Sequence, residues 1–464
     1  MKDRAVVVLD IGKSLTKLSL WSDGGRCLAR RSRPSGAKES SGRATLDTKG
    51  VEQWLEAVLG EFATLARVGT IVPVGHGAAA AILRGDGLAC PPLDYEVPVP
   101  AGVRARYDAM RDPFRETGSP ALPLGLNLGA QLFWLEEEEP ALRDGTTILP
   151  WPQYWAWVLT GIAASEVSSL GCHTDLWQPA AGRPSALAEA RGWAGRLAPR
   201  VFAGDVLGTI TRGWAARTGL PADVTVRCGL HDSNAALLAA RGFGEIAGGE
   251  ATVLSTGTWF VAMRTPAAGT CFPIENLPEG RDCLANVDVH GTLIPSGRFM
   301  GGREIERLLG PAPDVTGPAV NEAALAASMA EGAVVLPGFA EGVGPFPSGR
   351  GCWLAQPSTP AGRQAAVAFY AALMADTVLD LVGAQSRLLV EGRFAESRLL
   401  TGALAALRPE MTVYTSHIDS DVSYGALRLV NPALAPAATL RPVAPLALDL
   451  TEWRRRWRIA AGEC

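Results

Sequence analysis

No Cys-x-x-Cys pair, no Cys/His cluster and no surplus of charge of one sign occurs in this chain, and each absence removes a class of protein. The eight cysteines, at positions 27, 90, 172, 228, 271, 283, 352 and 464, stand far apart. Neither a zinc site nor a dense disulfide framework is signalled, and a reducing, cytoplasmic compartment fits best. With 43 Lys plus Arg against 47 Asp plus Glu, a net charge of −4, a polyanion-binding surface covering the whole protein is excluded, so no nucleic-acid partner is expected. Nowhere do about 18 uncharged apolar residues run together, so no membrane span is expected. The apolar run at residues 5–9 is cut by Asp10 and is too short for a signal peptide. No Gly-X-Y period organises the 52 glycines and 33 prolines, which read as turns and loops.

What is present is an ordinary globular composition. With 464 residues, 47% of them apolar, and roughly 150 residues per domain, two or three domains with their own cores are expected. The run at 5–9, a turn at Asp10-Ile11-Gly12-Lys13-Ser14 and a second run at 18–21 form a β-hairpin pattern. The pattern recurs at 252–254, Ser255-Thr256-Gly257-Thr258 and 259–263. Leu9 then matches Leu254 and Gly12 matches Gly257, both 245 positions apart. An internal repeat halfway along the chain suggests two similar domains. The boundary is placed in the glycine-rich stretch 242–249, giving domains 1–244 and 245–464.

Between and after the hairpins, helical spacing predicts helices over 51–66, 127–139, 363–386 and 396–407. Strands are expected at 69–74, 388–390 and 411–414. The acidic tract 136–139 reads as a solvated helix end. The tryptophans at 151, 155 and 157 read as packing residues. The basic tail at 453–458 reads as a terminal helix docking Trp453 and Trp457.

Three stretches place an unusual residue beside glycine at the end of an apolar run. In the first, Asp10 can face Mg²⁺ through water, Gly12 lets backbone amides approach a phosphate, and Lys13, Ser14 and Lys17 add charge and hydrogen bonds. The second, Thr256-Gly257-Thr258, is a hydroxyl-and-glycine turn suited to phosphate oxygens. The third, Cys228-Gly229-Leu230-His231-Asp232-Ser233-Asn234, runs from a strand into an alanine-rich helix, where Asp232 is either a helix N-cap or a general base. Phosphate-binding turns with one lone carboxylate are what phosphoryl transfer to an alcohol requires, since catalysis there is positioning, charge neutralisation and one base.

These residues resemble the FGGY carbohydrate kinases of the actin, Hsp70 and hexokinase superfamily, and within them the rhamnulokinase-like members. Asp10 to Ser14 resembles the family's first phosphate motif, Ser255 to Thr258 its second, and Asp232 its catalytic aspartate. Further matches are Leu93-Asp94-Tyr95-Glu96, Asn127 with Gln131, and Leu159-Thr160-Gly161 with Glu166 and Ser168. The resemblance implies an α/β fold of two actin-like (ribonuclease H-like) domains facing an interdomain cleft. The N-terminal domain would bind sugar and the C-terminal domain nucleotide.

It implies transfer of the γ-phosphate of ATP to a hydroxyl of a ketose, L-rhamnulose-like, L-fuculose-like or a ketopentose. Asp232 is expected as base, and Mg²⁺ is expected near Asp10 and Asp232. Gly392 would join the nucleotide site. His76, Gly77, Asp94, Gln131, Gln153 and Asp232 are candidate sugar contacts, with His173 and Asp175 weaker ones. Four departures bear on the substrate: Lys13 stands where threonine or asparagine is usual, His76 replaces tryptophan, Gln153 replaces an aspartate, and the adenosine-region glycines thin to Glu391-Gly392-Arg393. The alternatives are a nucleotide or polyphosphate hydrolase on the same scaffold and a non-catalytic sugar-binding regulator. A homodimer is left open.

Overall fold

The computed structural model describes residues 4–40, 42–311, 314–416 and 422–462. The chain forms two compact units. The first comprises Met1–Gly242, Ala285–Leu293 and Asp421–Ala435, and the second Phe243–Leu284, Ile294–Ser420 and Pro436–Cys464.

The first unit is built on a mixed sheet whose central strand is β1 (Arg4–Ile11). β1 pairs antiparallel with β2 (Leu15–Trp21), which continues to β3 (Cys27–Pro34). On its other side β1 runs parallel to Arg67–Gly75, reached through helix α1 (Thr48–Leu65). Successive side chains of β1 point to opposite faces. Ala5, Val7, Leu9 and Ile11 pack with Leu55, Leu59 and Phe62 of α1 and with Trp155. Val6 and Val8 pack on the other face with Leu230, Ala235, Ala426 and Leu427. A strand covered on both faces has to be apolar throughout, hence the unbroken run before Asp10.

The second unit repeats the theme. Ala251–Thr256 pairs antiparallel with Phe260–Thr265 and parallel with Arg387–Gly392, which pairs parallel with Thr412–Thr415. The helix Pro360–Leu381 is long and apolar enough to cross a membrane, and 83% of its apolar window is buried inside the protein; it is a core helix. It stops before the expected residue 386 because Gly383 takes φ +70° and the Ala384 N–H bonds back to Leu379 O at 2.9 Å.

The tract 136–139 is solvated only from Glu137 onward. Glu136 is fully buried, accepting from Trp193 Nε1 at 2.8 Å and pairing with Arg191 at 2.8 Å and Arg196 at 2.5 Å. The terminal helix Thr451–Ala460 does dock, with Trp457 Nε1 donating to Val335 O at 2.7 Å. Its arginines are occupied: Arg454 and Arg458 pair with buried Asp376 at 2.7 and 2.6 Å, and Arg455 and Arg456 pair with Glu452. The seven cysteines among the described residues are free; Cys464 lies outside them.

Candidate functional site

Asp232 opens the helix Asp232–Ala240, and His231, not Asp232, is its N-cap residue. The carboxyl therefore starts a helix whose free N–H groups favour its ionised form. Its Oδ1 accepts from Ser233 N at 2.6 Å and Ser233 Oγ at 3.3 Å, and lies 3.2 Å from His231 Nε2. Oδ2 has no protein partner among the described residues. The side chain is 30% exposed. Desolvation nonetheless pushes its pKa up to about 6, against the Ser233 hydrogen bonds and the charge of Lys17, which pull it down.

His231 is buried, and desolvation lowers its pKa to about 4, so the ring is neutral. Asn234 Nδ2 lies 3.3 Å from Nδ1. With that amide as donor, the imidazole proton belongs on Nε2, where it points at Asp232. The backbone of His231 is held in turn, since its N–H donates to Ser168 Oγ at 3.2 Å. Ser168 Oγ donates to Glu166 Oε2 at 2.6 Å. Glu166 is fully buried and its pKa is pushed up to about 7 by desolvation.

Around this carboxyl the first unit gathers a polar cluster. His76 directly follows the strand Arg67–Gly75 and is 8% exposed, with its ring 5.4 Å from Tyr95 and 6.0 Å from Trp151. Its Nδ1 is buried without a partner, and desolvation lowers its pKa to about 3, with the nearby charge of Lys13 adding to the effect. A side chain at Gly77 would overlap Cys172 Sγ and press on His231 Nε2, so glycine is required there. Tyr95 feels Asp232, Asp94 and Glu96, and desolvation pushes its hydroxyl up to about 12.

The remaining sugar-contact candidates are placed less openly. Gln131 donates to Ala78 O at 2.8 Å and Gly125 O at 2.5 Å, bracing the backbone behind Gly77. Gln153 is fully buried and donates to Gly229 O at 3.1 Å, steadying the turn before His231. Asp175 is engaged by Arg111 at 3.0 Å through two hydrogen bonds and by Tyr107, and His173 Nδ1 is 2.7 Å from Leu126 O. The geometry gives these residues structural partners because each amide or carboxylate sits where a buried backbone or guanidinium must be satisfied.

The β1–β2 turn carries the first candidate phosphate motif. Gly12 N donates to Leu15 O at 3.2 Å, and Ser35 Oγ donates to Gly12 O at 2.6 Å, fixing the turn. Ser14 is exposed. Asp10 faces Lys17 across the pair, and their charged atoms are 3.5 Å apart. Lys13, expected at a phosphate, instead donates to Asp94 and lies 3.1 Å from Glu96 Oε2. In the second unit the turn at Gly257 closes with Gly257 N donating to Trp259 O at 3.0 Å. Thr256 is buried and its hydroxyl donates to Glu391 O at 2.6 Å, so its part is to shape the turn; Thr258 is exposed. Gly392 has φ +85° and lies against the Thr256 backbone, where a Cβ would collide. Among the described residues no group of three His, Cys, Asp or Glu side chains could hold a metal. A single buried carboxylate, Asp10, suits a magnesium ion that arrives on phosphates and keeps its water.

Sequence reasoning passed over Ser35, which locks the first turn, and the Gly301-Gly302 pair at the start of helix Gly301–Leu309. Gly302 lies against the Gly257 carbonyl, leaving no room for a Cβ and bringing a helix N-terminus to that turn. The adjacent glycines were the available signal.

Comparison with known proteins accords with this arrangement. Residues 248–438 match the family described as carbohydrate kinase FGGY, C-terminal domain. A carbohydrate kinase from Novosphingobium aromaticivorans is 53% identical, with a TM-score of 0.94 over 98% of this chain and 100% of that one. A xylulose kinase from Rhodospirillum rubrum, 22% identical, shares the fold with a TM-score of 0.75 over 99% of this chain and 97% of that one. L-fuculokinase of Escherichia coli (strain K12) is 26% identical, over 57% of this chain and 57% of that enzyme's length. The chain belongs to the FGGY carbohydrate kinases.

Proposed function

We propose that the protein transfers the γ-phosphate of ATP to a hydroxyl of a ketose, with Asp232 as general base. The observation that carries the reading is the state of its carboxyl: Oδ1 is held by Ser233 and His231, while Oδ2 is left for an incoming hydroxyl. The substrate hydroxyl gives its proton to Oδ2 as its oxygen attacks the γ-phosphorus, and the bond to the β,γ-bridging oxygen breaks to release ADP. One free oxygen cannot serve both as base and as metal ligand, so the metal-facing role falls to Asp10. Magnesium bound to the phosphates would neutralise their charge. The turn amides at 13–14 and 258 would donate to phosphate oxygens, and Lys17 would supply charge beside Asp10. His76, Gly77, Tyr95 and Asp94 form the sugar side.

An L-fuculose-like or D-xylulose-like acceptor is favoured by the likeness to L-fuculokinase and to the xylulose kinase fold. The test is coupled ADP release across L-fuculose, L-rhamnulose, D-xylulose and D-ribulose, with wild type and Asp232→Asn. We expect ketose-dependent turnover that the variant loses by about 10³-fold or more. ATP hydrolysis equal with and without ketose would replace the reading with a hydrolase; full transfer by Asp232→Asn would move the base elsewhere.

A further inference from the structure

The β1–β2 turn carries two lysines, and they are committed in different directions. Lys17 stands opposite Asp10 in the strand register. Lys13 reaches the other way: its ammonium donates to both oxygens of Asp94, lies 3.1 Å from Glu96 Oε2, and sits 5.1 Å over the Tyr95 ring. Asp94 is 4% exposed and Glu96 64% exposed. The first is therefore a buried charge that needs its partner, and the second a solvated one that does not.

Asp94 Oδ1 also accepts the Glu96 N–H at 2.9 Å. An ionised carboxylate offers about four acceptor directions. Two are taken by Lys13 and one by Glu96, so Lys13 decides where the remaining one points. Tyr95, the next residue, lies edge-on to His76, whose buried Nδ1 has no partner. The electrostatic influence of Asp232 on Tyr95, and of Asp94 on His76, puts all four groups in one neighbourhood of the first unit. The chain thus holds one open carboxylate direction and one unpartnered imidazole nitrogen beside the proposed base. Such a pair fits two hydroxyls of a polyol chain.

We propose that Lys13 serves the acceptor sugar and not the nucleotide: it is the positioning residue that clamps Asp94 so that Asp94 accepts a hydroxyl of the ketose. The inference rests on the sugar-kinase reading above. For Lys13 to reach a phosphate it would have to abandon Asp94, leaving that buried carboxylate without its cation. A threonine or asparagine at position 13 could not span both Asp94 oxygens, so this enzyme's sugar side is organised by a group that its relatives' motif does not supply.

The experiment compares Lys13→Met, Lys13→Arg, Asp94→Asn and the Lys13→Met/Asp94→Asn double variant. KM is measured for the best of the four ketoses named above and for ATP, and MgADP affinity is measured by calorimetry. Lys13→Met is expected to raise the ketose KM about tenfold or more, while the ATP KM and MgADP affinity stay within about twofold. Lys13→Arg should recover part of the loss, because a guanidinium can bridge a carboxylate. The double variant should be no worse than the worse single one, as expected when two residues act as a unit.

A general packing defect would move both substrates and would not be rescued by arginine. Should Lys13→Met fail to fold, the Lys13→Gln/Asp94→Asn pair, which removes both charges together, gives the same comparison of the two KM values. Weakened ATP or MgADP binding with an unchanged ketose KM, no change in either, or additive losses in the double variant would overturn the proposal. If wild type phosphorylates none of the four ketoses, the kinase reading falls and takes this one with it. If wild type transfers and only the Lys13 pattern differs, this one falls alone.

Discussion

At the scale of single residues, the base role proposed for Asp232 would couple activity to acidity. Its carboxyl must be ionised to accept a proton, and burial has moved its pKa from the ordinary 3.8 to about 6. The acid limb of kcat/KM should therefore fall near pH 6 and not near pH 4, as a pH–rate profile between pH 4.5 and 8.5 would reveal. The same shift acts on stability with a definite sign. Below pH 3.8 the group is protonated whether folded or unfolded and costs nothing. As pH rises toward 6 the unfolded state releases its proton first, so wild type loses stability across that interval. Asp232→Asn carries no such penalty. It should be inactive yet more stable than wild type by roughly 1–2 kcal/mol above pH 6.5, with the advantage shrinking toward pH 4, in urea titrations at each pH.

Gly77→Ala should cut transfer by about 10²-fold, because the new methyl meets Cys172 Sγ and His231 Nε2 and displaces the imidazole that orients Asp232. Cys172→Ala in that background should restore part of it, by the same coupled assay. Residue types beside glycines at strand ends were enough to single out Asp10, Gly12, Asp232 and Gly257. Partners were not legible. Nothing in the order of residues says that Lys13 reaches Asp94, that Gln153 braces Gly229, or that Glu136 is ringed by arginines, because those contacts join positions tens of residues apart.

At the scale of elements, the helix beginning at Asp232 is held by a neighbour from far along the chain. Gly425, in the helix Val422–Val430, lies so close to the Ala235 carbonyl that a Cβ there would collide with backbone. Gly425→Ala should push the two helices apart, lowering stability by about 1–3 kcal/mol. It should also reduce transfer while leaving MgADP affinity near wild type, as denaturation and calorimetry would show. In the second unit, Gly392→Ala meets the Thr256 carbonyl with a left-handed φ, and should weaken MgADP binding more than ketose binding. The two hairpins, α1 and the helix Pro360–Leu381 were readable from periodicity, because each has a covered face or is covered all round. The helix Val422–Val430 has six apolar residues of nine but no distinguishing motif, so neither its role nor its neighbour could be read.

At the scale of the whole molecule, the first unit includes Ala285–Leu293 and Asp421–Ala435 besides the first 242 residues. A fragment ending at residue 244 would lack Val289, Ala426 and Leu427, which cover one face of its central sheet beside Leu230 and Ala235. Expressed alone, it should fail to give the near-ultraviolet circular dichroism of a packed core and should be cut rapidly by protease. The repeat of glycine hairpins pointed to two similar halves, and in each unit the hairpin's first strand does pair parallel with a later strand that follows a helix. Local pattern cannot report that the chain threads back, because the returning segments are ordinary in composition.

That return path has a consequence for the protein's birth on the ribosome. The sheet begun by the first residues cannot be roofed until position 430 has emerged, some 190 residues after Gly242. At about 5–20 residues per second this is a wait of roughly 10–40 seconds with an apolar face bare. Nascent chains stalled before that point should attract chaperones, and those released after it should not.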